Sequence, residues 1–358
     1  REHGLNIDMA GFDQLMEQQR ARARGAKSFS SMGEGYVNLG LSTEFSGYDA
    51  VTCESSVSAI VVDGESVETL SAGQQAHVVL EKTPFYGESG GQVGDTGLLV
   101  ANAGQMRVED TQKNAETIIH IGQLDQGQLS VGDTVSAQVN ADRRQSIVLN
   151  HSATHLMHAA LRQVLGDHVQ QKGSLVTPDR LRFDFSHFEA MTPLQIAEIE
   201  DIVNDQIRAN AQAEAKVMSI DDAMESGAMA LFGEKYGDEV RVMNIGFSTE
   251  LCGGVHVQRA GDIGLFKVLS EGGVAAGVRR IEAVTGKKAL SMVAEEEKTL
   301  RDIAGMLKTT PDKVESRLAQ LLSNERQLEK SLEQLKAKLA ADAGSSLADD
   351  AVDVQGIK

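Results

Sequence analysis

The sequence predicts an α+β chain: a small β-barrel, then a mixed α+β unit, then a helical, coiled-coil-like tail. Three observations carry this. Short β-rich segments separated by turn signals fill the stretch from Tyr36 to about Asn140. Helical and strand patterns then alternate from Ser146 to Val284. Leucines at 3–4 spacing dominate the sequence after Val314. Four segments follow: 1–27, a helix end; 28–140, the barrel; 141–290, the α+β unit; and 291–358, the tail.

Phe12 to Lys27 reads as the end of a helix, and Ser28 to Gly35 as a Ser/Gly-rich break. The predicted barrel strands are Val57 to Val62, His77 to Leu80, Gly97 to Val100, Thr117 to Ile121 and Thr134 to Val139. Asp63-Gly64, Ala103-Gly104 and Gly132-Asp133 supply turns between them. Ser146 to Leu165 is a helix ending at Gly166. Leu181 to Phe185 alternates as a strand does. Thr192-Pro193 opens a helix as N-cap and first helical residue, with Leu194, Ile196, Ile199, Val203 and Ile207 at helical spacing. Val240 to Met243, Ile263 to Leu269 and Arg280 to Val284 are further strands. In the tail, Thr310-Pro311-Asp312 starts a helix that Gly344 follows, with Leu318, Leu321, Leu328, Leu332, Leu335 and Leu339 on one seam and Glu325 interrupting it. An intrachain hairpin with the Ser291 to Leu307 segment is expected to cover that seam.

Composition narrows the function classes. Hydrophobic residues make up 41% of the 358 residues, and no apolar run reaches membrane-spanning length. The opening Arg1-Glu-His-Gly-Leu is not a signal peptide and reads as a piece of a longer protein. Two cysteines give no disulfide framework, which suits a reducing cytoplasm. The net charge of −18 excludes indiscriminate nucleic-acid binding, DNA included. RNA contact would have to use local basic patches: Arg20, Arg22, Arg24 and Lys27, Arg143-Arg144, Arg279-Arg280, or Lys287-Lys288.

Two pairs of ligand-type residues stand out, each four residues wide. His151 and His155 share a helix face, and Cys252 and His256 flank Gly253-Gly254, a turn able to fold thiolate and imidazole toward one point. Three nitrogens and one sulfur suit Zn²⁺ better than Mg²⁺ or Ca²⁺, so one Zn²⁺ per chain is expected. Ser152 after His151 excludes the His-Glu-x-x-His protease motif. The glycine-rich Gly87 to Gly94 lacks the Lys-Ser/Thr of a phosphate-binding loop. Cys53 reads as a buried free thiol, His158 as a helix-surface residue and His120 as structural. His77, His168 and His187 lack a partner at metal spacing.

The runs Asn150-His-Ser-Ala-Thr-His-Leu156, Gln171-Lys-Gly-Ser174, Leu181-Arg-Phe-Asp-Phe-Ser186 and Cys252-Gly-Gly-Val-His256 together resemble the editing domain of alanyl-tRNA synthetase. Ser270 to Gly286 is similar to the segment that closes that domain. Leu5 to Arg24 is similar to the end of the family's helical tRNA-binding domain, and the residues after Ser291 to the start of its C-terminal dimerisation domain. Free-standing alanyl-tRNA editing proteins and threonyl-tRNA synthetase share parts of the pattern. The basic opening helix and heptad-like tail favour the synthetase.

The resemblance implies hydrolysis of mischarged Ser-tRNA(Ala) and Gly-tRNA(Ala), with the tRNA(Ala) acceptor end as partner and Thr154 and Gln171 lining the pocket. In the family the glycine-rich loop lies near that pocket. The family attaches alanine to tRNA using ATP, but no stretch here reads as that core. One departure is Val255, where the family usually has Thr; it keeps the β-branched shape and removes a hydroxyl, which bears on editing rate. Two alternatives are a free-standing editing hydrolase and a tRNA-binding, dimerising module with structural zinc. The chain as given is expected to be monomeric, with a homo-oligomer possible for the longer protein.

Overall fold

The computed structural model describes residues 40–229 and 237–349, with side chains through 340. The predicted opening helix, its Ser/Gly break and the cluster from Arg20 to Lys27 lie outside the described residues. The first compact unit runs to Ala289 and the second begins at Leu290.

Six antiparallel strands close the predicted barrel. They are β1 (Thr52–Val62), β2 (Gln75–Leu80), β3 (Gly97–Ala101), β4 (Gly104–Asn114), β5 (Thr117–Ser130) and β6 (Thr134–Val139). Their order is β6-β3-β4-β5-β2-β1, and β1 returns to β6 with Cys53 opposite Ala137. Period-two alternation fills the interior: on β6, Val135, Ala137 and Val139 are buried and the residues between them are not. Leu80, Phe85, Leu99, Met106 and Leu124 complete that core. His120 is structural, as expected: buried, with Nδ1 donating to the Val78 carbonyl at 3.0 Å and Nε2 2.7 Å from Thr83 Oγ1. Cys53 is a free thiol but only half-buried: it packs against the barrel core, with Sγ 3.9 Å from the Lys82 carbonyl.

The α+β unit continues with α1 (Ala141–Leu165), β7 (Gln171–Val176), β8 (Leu181–Ser186), α2 (Pro193–Ala209), β9 (Glu214–Ser219) and α3 (Ile220–Glu225). It is completed by β10 (Glu239–Ile245), β11 (Ser248–Leu251), β12 (Phe266–Ala275) and β13 (Val278–Thr285). Two antiparallel sheets result, β7-β8-β13-β12 and β9-β10-β11. Helix α1 starts five residues before the predicted Ser146, because the Asn140 side chain caps it by accepting from the Arg143 N–H. Thr192 and Gln195 form a capping box on α2, although Leu194 ends up exposed. The core packs Leu156, Met157 and Leu161 of α1 against Phe183, Phe185, Ile199, Val203 and Ile281.

Helix α1 is fixed to the barrel by a buried ion pair. Arg144 binds Asp95 with Nε and Nη2 and donates to the Gly47 and Pro84 carbonyls at 2.9 and 2.7 Å. Asp95 in turn accepts from the Tyr86 N–H at 2.7 Å. Arg144 is therefore a structural bolt rather than an RNA-binding residue. Arg279 and Arg280 are likewise spent on Glu271 and Asp184, whereas Lys287 and Lys288 are exposed.

Helix α4 (Gly286–Met306) begins in the last residues of the first unit and ends, in the second, where Lys308 adopts a left-handed φ of 51° and the Thr309 N–H returns to the Ala304 carbonyl. A 3₁₀ turn at Pro311–Lys313 leads into α5 (Val314–Asp349), which runs on through Gly344 instead of stopping there. The predicted hairpin does not cover the leucine seam. Leu328 is 70% exposed and Leu339 69%, while the apolar residues that α4 would offer, Leu300, Ile303 and Met306, are exposed too.

Candidate metal centre and pocket

Helix α1 is buried on nearly every face from Asn150 to Leu161, so its inward histidines sit in the protein interior. His151 and His155 are one turn apart with rings stacked at 5.3 Å. Facing them is the loop after β11 that carries Cys252 and His256. Close approach there requires glycine: a Cβ on Gly254 would lie 2.1 Å from His151 Cε1. The loop is held by its carbonyls. Arg241 donates to those of Cys252 and Gly254 at 2.9 and 3.0 Å, and the Tyr48 hydroxyl donates to that of Gly253 at 2.9 Å. The Arg241 guanidinium also stacks 4.3 Å over the Tyr48 ring.

The sequence-predicted quartet comes together. One ligand atom each from His151, His155, Cys252 and His256 lies within 4.8 Å of the others, so the group could hold a metal ion. Cys252 Sγ is 3.5 Å from His151 Nε2 and 3.2 Å from His256 Nε2.

The surrounding hydrogen bonds select the tautomers. Gln92 Oε1 accepts from the Val255 N–H at 3.1 Å, which fixes the orientation of its amide. His151 Nδ1, 2.7 Å from the same oxygen, must therefore be the donor. His155 Nδ1 donates to the Glu250 carboxylate at 2.7 Å. Ser152 Oγ gives its proton to the Val148 carbonyl and accepts from the Val257 N–H, so it is an acceptor for His256 Nδ1 at 3.3 Å. Each of the three imidazoles thus spends Nδ1–H outward and turns Nε2 toward the sulfur.

Electrostatics agree with that geometry. Burial opposes a Cys252 thiolate, yet His151, His256 and His155 together pull its pKa well below the ordinary range. Burial would lower His155, but Glu250 and Cys252 outweigh it and raise His155 to about 10. Burial takes His256 down to about 3, against Cys252 and with His151. Glu250 is lowered despite its burial, by the charge of His155 and by hydrogen bonds from His155 and His158. The Cys252 thiolate and the Glu250 carboxylate thus lie on either side of the His155 ring in a buried space, a concentration of negative charge that a bound cation would offset.

Beside the cluster lies a cavity of about 80 Å³ lined by Thr154, Gln171, Ser174, Gly90, His151 and His155, among others. Both predicted pocket residues line it. Thr154 Oγ1 donates to the Asn150 carbonyl at 2.9 Å, so toward the cavity it offers lone pairs. A larger open groove of about 610 Å³ on the barrel wall, around Arg107 and Gln138, gathers no ligating cluster among the described residues, and the chemistry selects the smaller cavity.

Sequence reasoning missed Gln92, Tyr48, Arg241 and Glu250. For Glu250 a signal existed, since strand alternation puts it on the same face as Cys252, two residues on. His158 is buried rather than on the helix surface, and its Nδ1 shares Glu250 at 3.0 Å; it is not among the four clustered ligands. His168 and His187, far apart in sequence, are paired at 2.9 Å.

Comparison with known proteins places these features in a family. The family description "tRNA synthetases class II (A)" matches residues 1–143, and "Threonyl and Alanyl tRNA synthetase second additional domain" matches residues 240–282. The chain is 55% identical to an alanine–tRNA ligase of Methylococcus capsulatus, 56% to one of Bordetella petrii and 52% to one of Saccharophagus degradans, in each case over 100% of its own length. It spans 42% of the first of these relatives and 41% of the other two. With identity above half along its whole length, the chain belongs to the alanyl-tRNA synthetase family.

Proposed function

We propose that this chain is the editing portion of an alanyl-tRNA synthetase, which hydrolyses the ester joining serine or glycine to the 3′ end of tRNA(Ala). The observation that carries the reading is a small cavity whose wall holds both the Thr154 hydroxyl and the His/Cys cluster. A pocket selecting alanine gains little discrimination from one missing methyl or one added hydroxyl, so a second site must act on the errors. In that site the lone pairs of Thr154 accept a hydrogen bond from a serine hydroxyl, which alanine cannot offer. Gln171, at the start of β7, lines the same cavity and orients the ester.

The four residues suit one Zn²⁺ per chain. Bonds of about 2.0 Å to nitrogen and about 2.3 Å to sulfur separate tetrahedral ligand atoms by roughly 3.3–3.6 Å, close to the 3.5 and 3.2 Å found around Cys252. When bound, the ion supplies a fixed positive charge at the cavity wall. With His151, His155, Cys252 and His256 all ligating, no position stays open, which favours an orienting or structural role. Attachment of alanine using ATP belongs to the longer proteins of the family, and a cytoplasmic location follows from the same reading.

Deacylation of Ser-tRNA(Ala) by the purified chain, with and without a chelator, tests the proposal. Hydrolysis well above the no-enzyme rate, and no ATP-dependent formation of Ala-tRNA, are expected. Inertness toward Ser-tRNA(Ala) with zinc present would replace this reading with a tRNA-binding module in which the metal is structural.

A further inference from the structure

The glycine-rich segment Gly87–Gly94 has no phosphate-binding lysine, yet its backbone is closely specified. Gly90 and Gly91 both have positive φ, 57° and 84°, as the central residues of a type I′ turn do. Ser89 and Gln92 close that turn with reciprocal N–H to carbonyl bonds of 3.2 and 2.9 Å. Gly91 backs directly onto β7, where a Cβ would lie 2.6 Å from the Ser174 carbonyl oxygen. The Val176 N–H donates to the Gly91 carbonyl at 2.7 Å, and the Val93 N–H to that of Val176 at 3.1 Å.

All of this delivers one fully buried side chain, Gln92. Its Oε1 accepts from His151 Nδ1 on α1 and from the Val255 N–H between Cys252 and His256. Its Nε2 has no hydrogen-bond partner among the described residues. Both of its side-chain hydrogen bonds therefore run through the acceptor oxygen. The acceptor is what the site retains.

We propose that Gln92 is a positioning residue for the ligand cluster: one oxygen fixes the tautomer of His151 and sets the Cys252–His256 loop in register with α1. The glycine-rich turn is then the barrel's contribution to the metal centre, and its glycines exist to bring that oxygen in. The inference rests on the metal reading above.

The test is metal binding by the full chain, measured by competitive Zn²⁺ titration and by the absorption spectrum of the Co²⁺ form. Gln92→Met keeps the volume and removes the acceptor; it should weaken Zn²⁺ binding about 10–100-fold and shift the Co²⁺ bands. Gln92→Glu keeps an acceptor oxygen at the same reach and should restore both the affinity and the spectrum. Should Gln92→Met not fold, Gln92→Asn, which draws the oxygen back by one methylene, is expected to show the same weakening. Wild-type affinity and spectrum in Gln92→Met, or equal losses in Gln92→Met and Gln92→Glu, would overturn the inference and leave the metal reading intact. A wild-type chain that takes up no metal would remove both.

Discussion

At the scale of single residues, the centre depends on groups outside the ligand quartet. Glu250 is the clearest, a buried carboxylate receiving hydrogen bonds from His155, His158 and the Ser248 hydroxyl. Removing it strands two buried imidazoles, so Glu250→Ala should destabilise the metal-free chain by about 3–5 kcal/mol, measured by urea unfolding. A loss below about 1 kcal/mol would show that water replaces the carboxylate without cost. The ligands themselves give a sharper outcome. Cys252→Ala should abolish stoichiometric zinc by metal analysis, and full zinc retention would falsify the quartet. Gly254→Ala should do the same by a different route, pushing the loop off His151. The quartet was legible in sequence because each pair is local and four residues wide. Its supports were not, because they act at long range: Gln92 reaches Val255 across 163 residues and Tyr48 reaches Gly253 across 205. No spacing rule encodes such contacts.

At the scale of elements, the strongly apolar strands of the barrel announce themselves, while β4 does not. Gly104–Asn114 buries only two apolar side chains, Met106 and Val108, its third buried residue being the polar Thr111, so its alternation is too faint to read. Helix α1 was legible from Ile147 onward by its apolar residues. Its polar first turns were visible only through the Asn140 cap. Strand β5 carries a testable pH effect at His120. Burial lowers His120 to about 4 from an ordinary 6.5, only partly offset by its bond to the Val78 carbonyl. Between those pH values the unfolded chain holds the proton and the folded chain does not. This contribution is therefore complete above about pH 6.5 and lost as pH falls toward 4, up to about 3 kcal/mol in all. Urea unfolding of wild type and His120→Gln across that range isolates it. The stability difference should shrink steadily below pH 6.5, and a difference independent of pH would show that His120 titrates normally in the fold.

At the scale of the whole molecule, every residue of the metal centre and its cavity belongs to the unit that ends at Ala289, while the leucine seam belongs to the other. Sequence periodicity identified the seam correctly as a stripe but misassigned its cover, since a heptad pattern specifies which residues want burial and not what buries them. Self-association is the obvious alternative, and Glu325 argues against it. Leu318, Leu321, Leu328, Leu332, Leu335 and Leu339 keep the 3–4 alternation only if Glu325 takes a seam position, which in a parallel pair of chains sets two carboxylates face to face. A charge at such a position specifies pairing at the expense of stability. The chain should therefore sediment as a monomer at micromolar concentration, and Glu325→Leu should promote a dimer. Leu328→Asp with Leu332→Asp should leave the wild-type sedimentation, zinc content and Ser-tRNA(Ala) deacylation unchanged. A wild-type dimer abolished by the double aspartate variant would show that the seam pairs despite Glu325, and a simultaneous loss of zinc would show that the centre is not self-sufficient within the first unit.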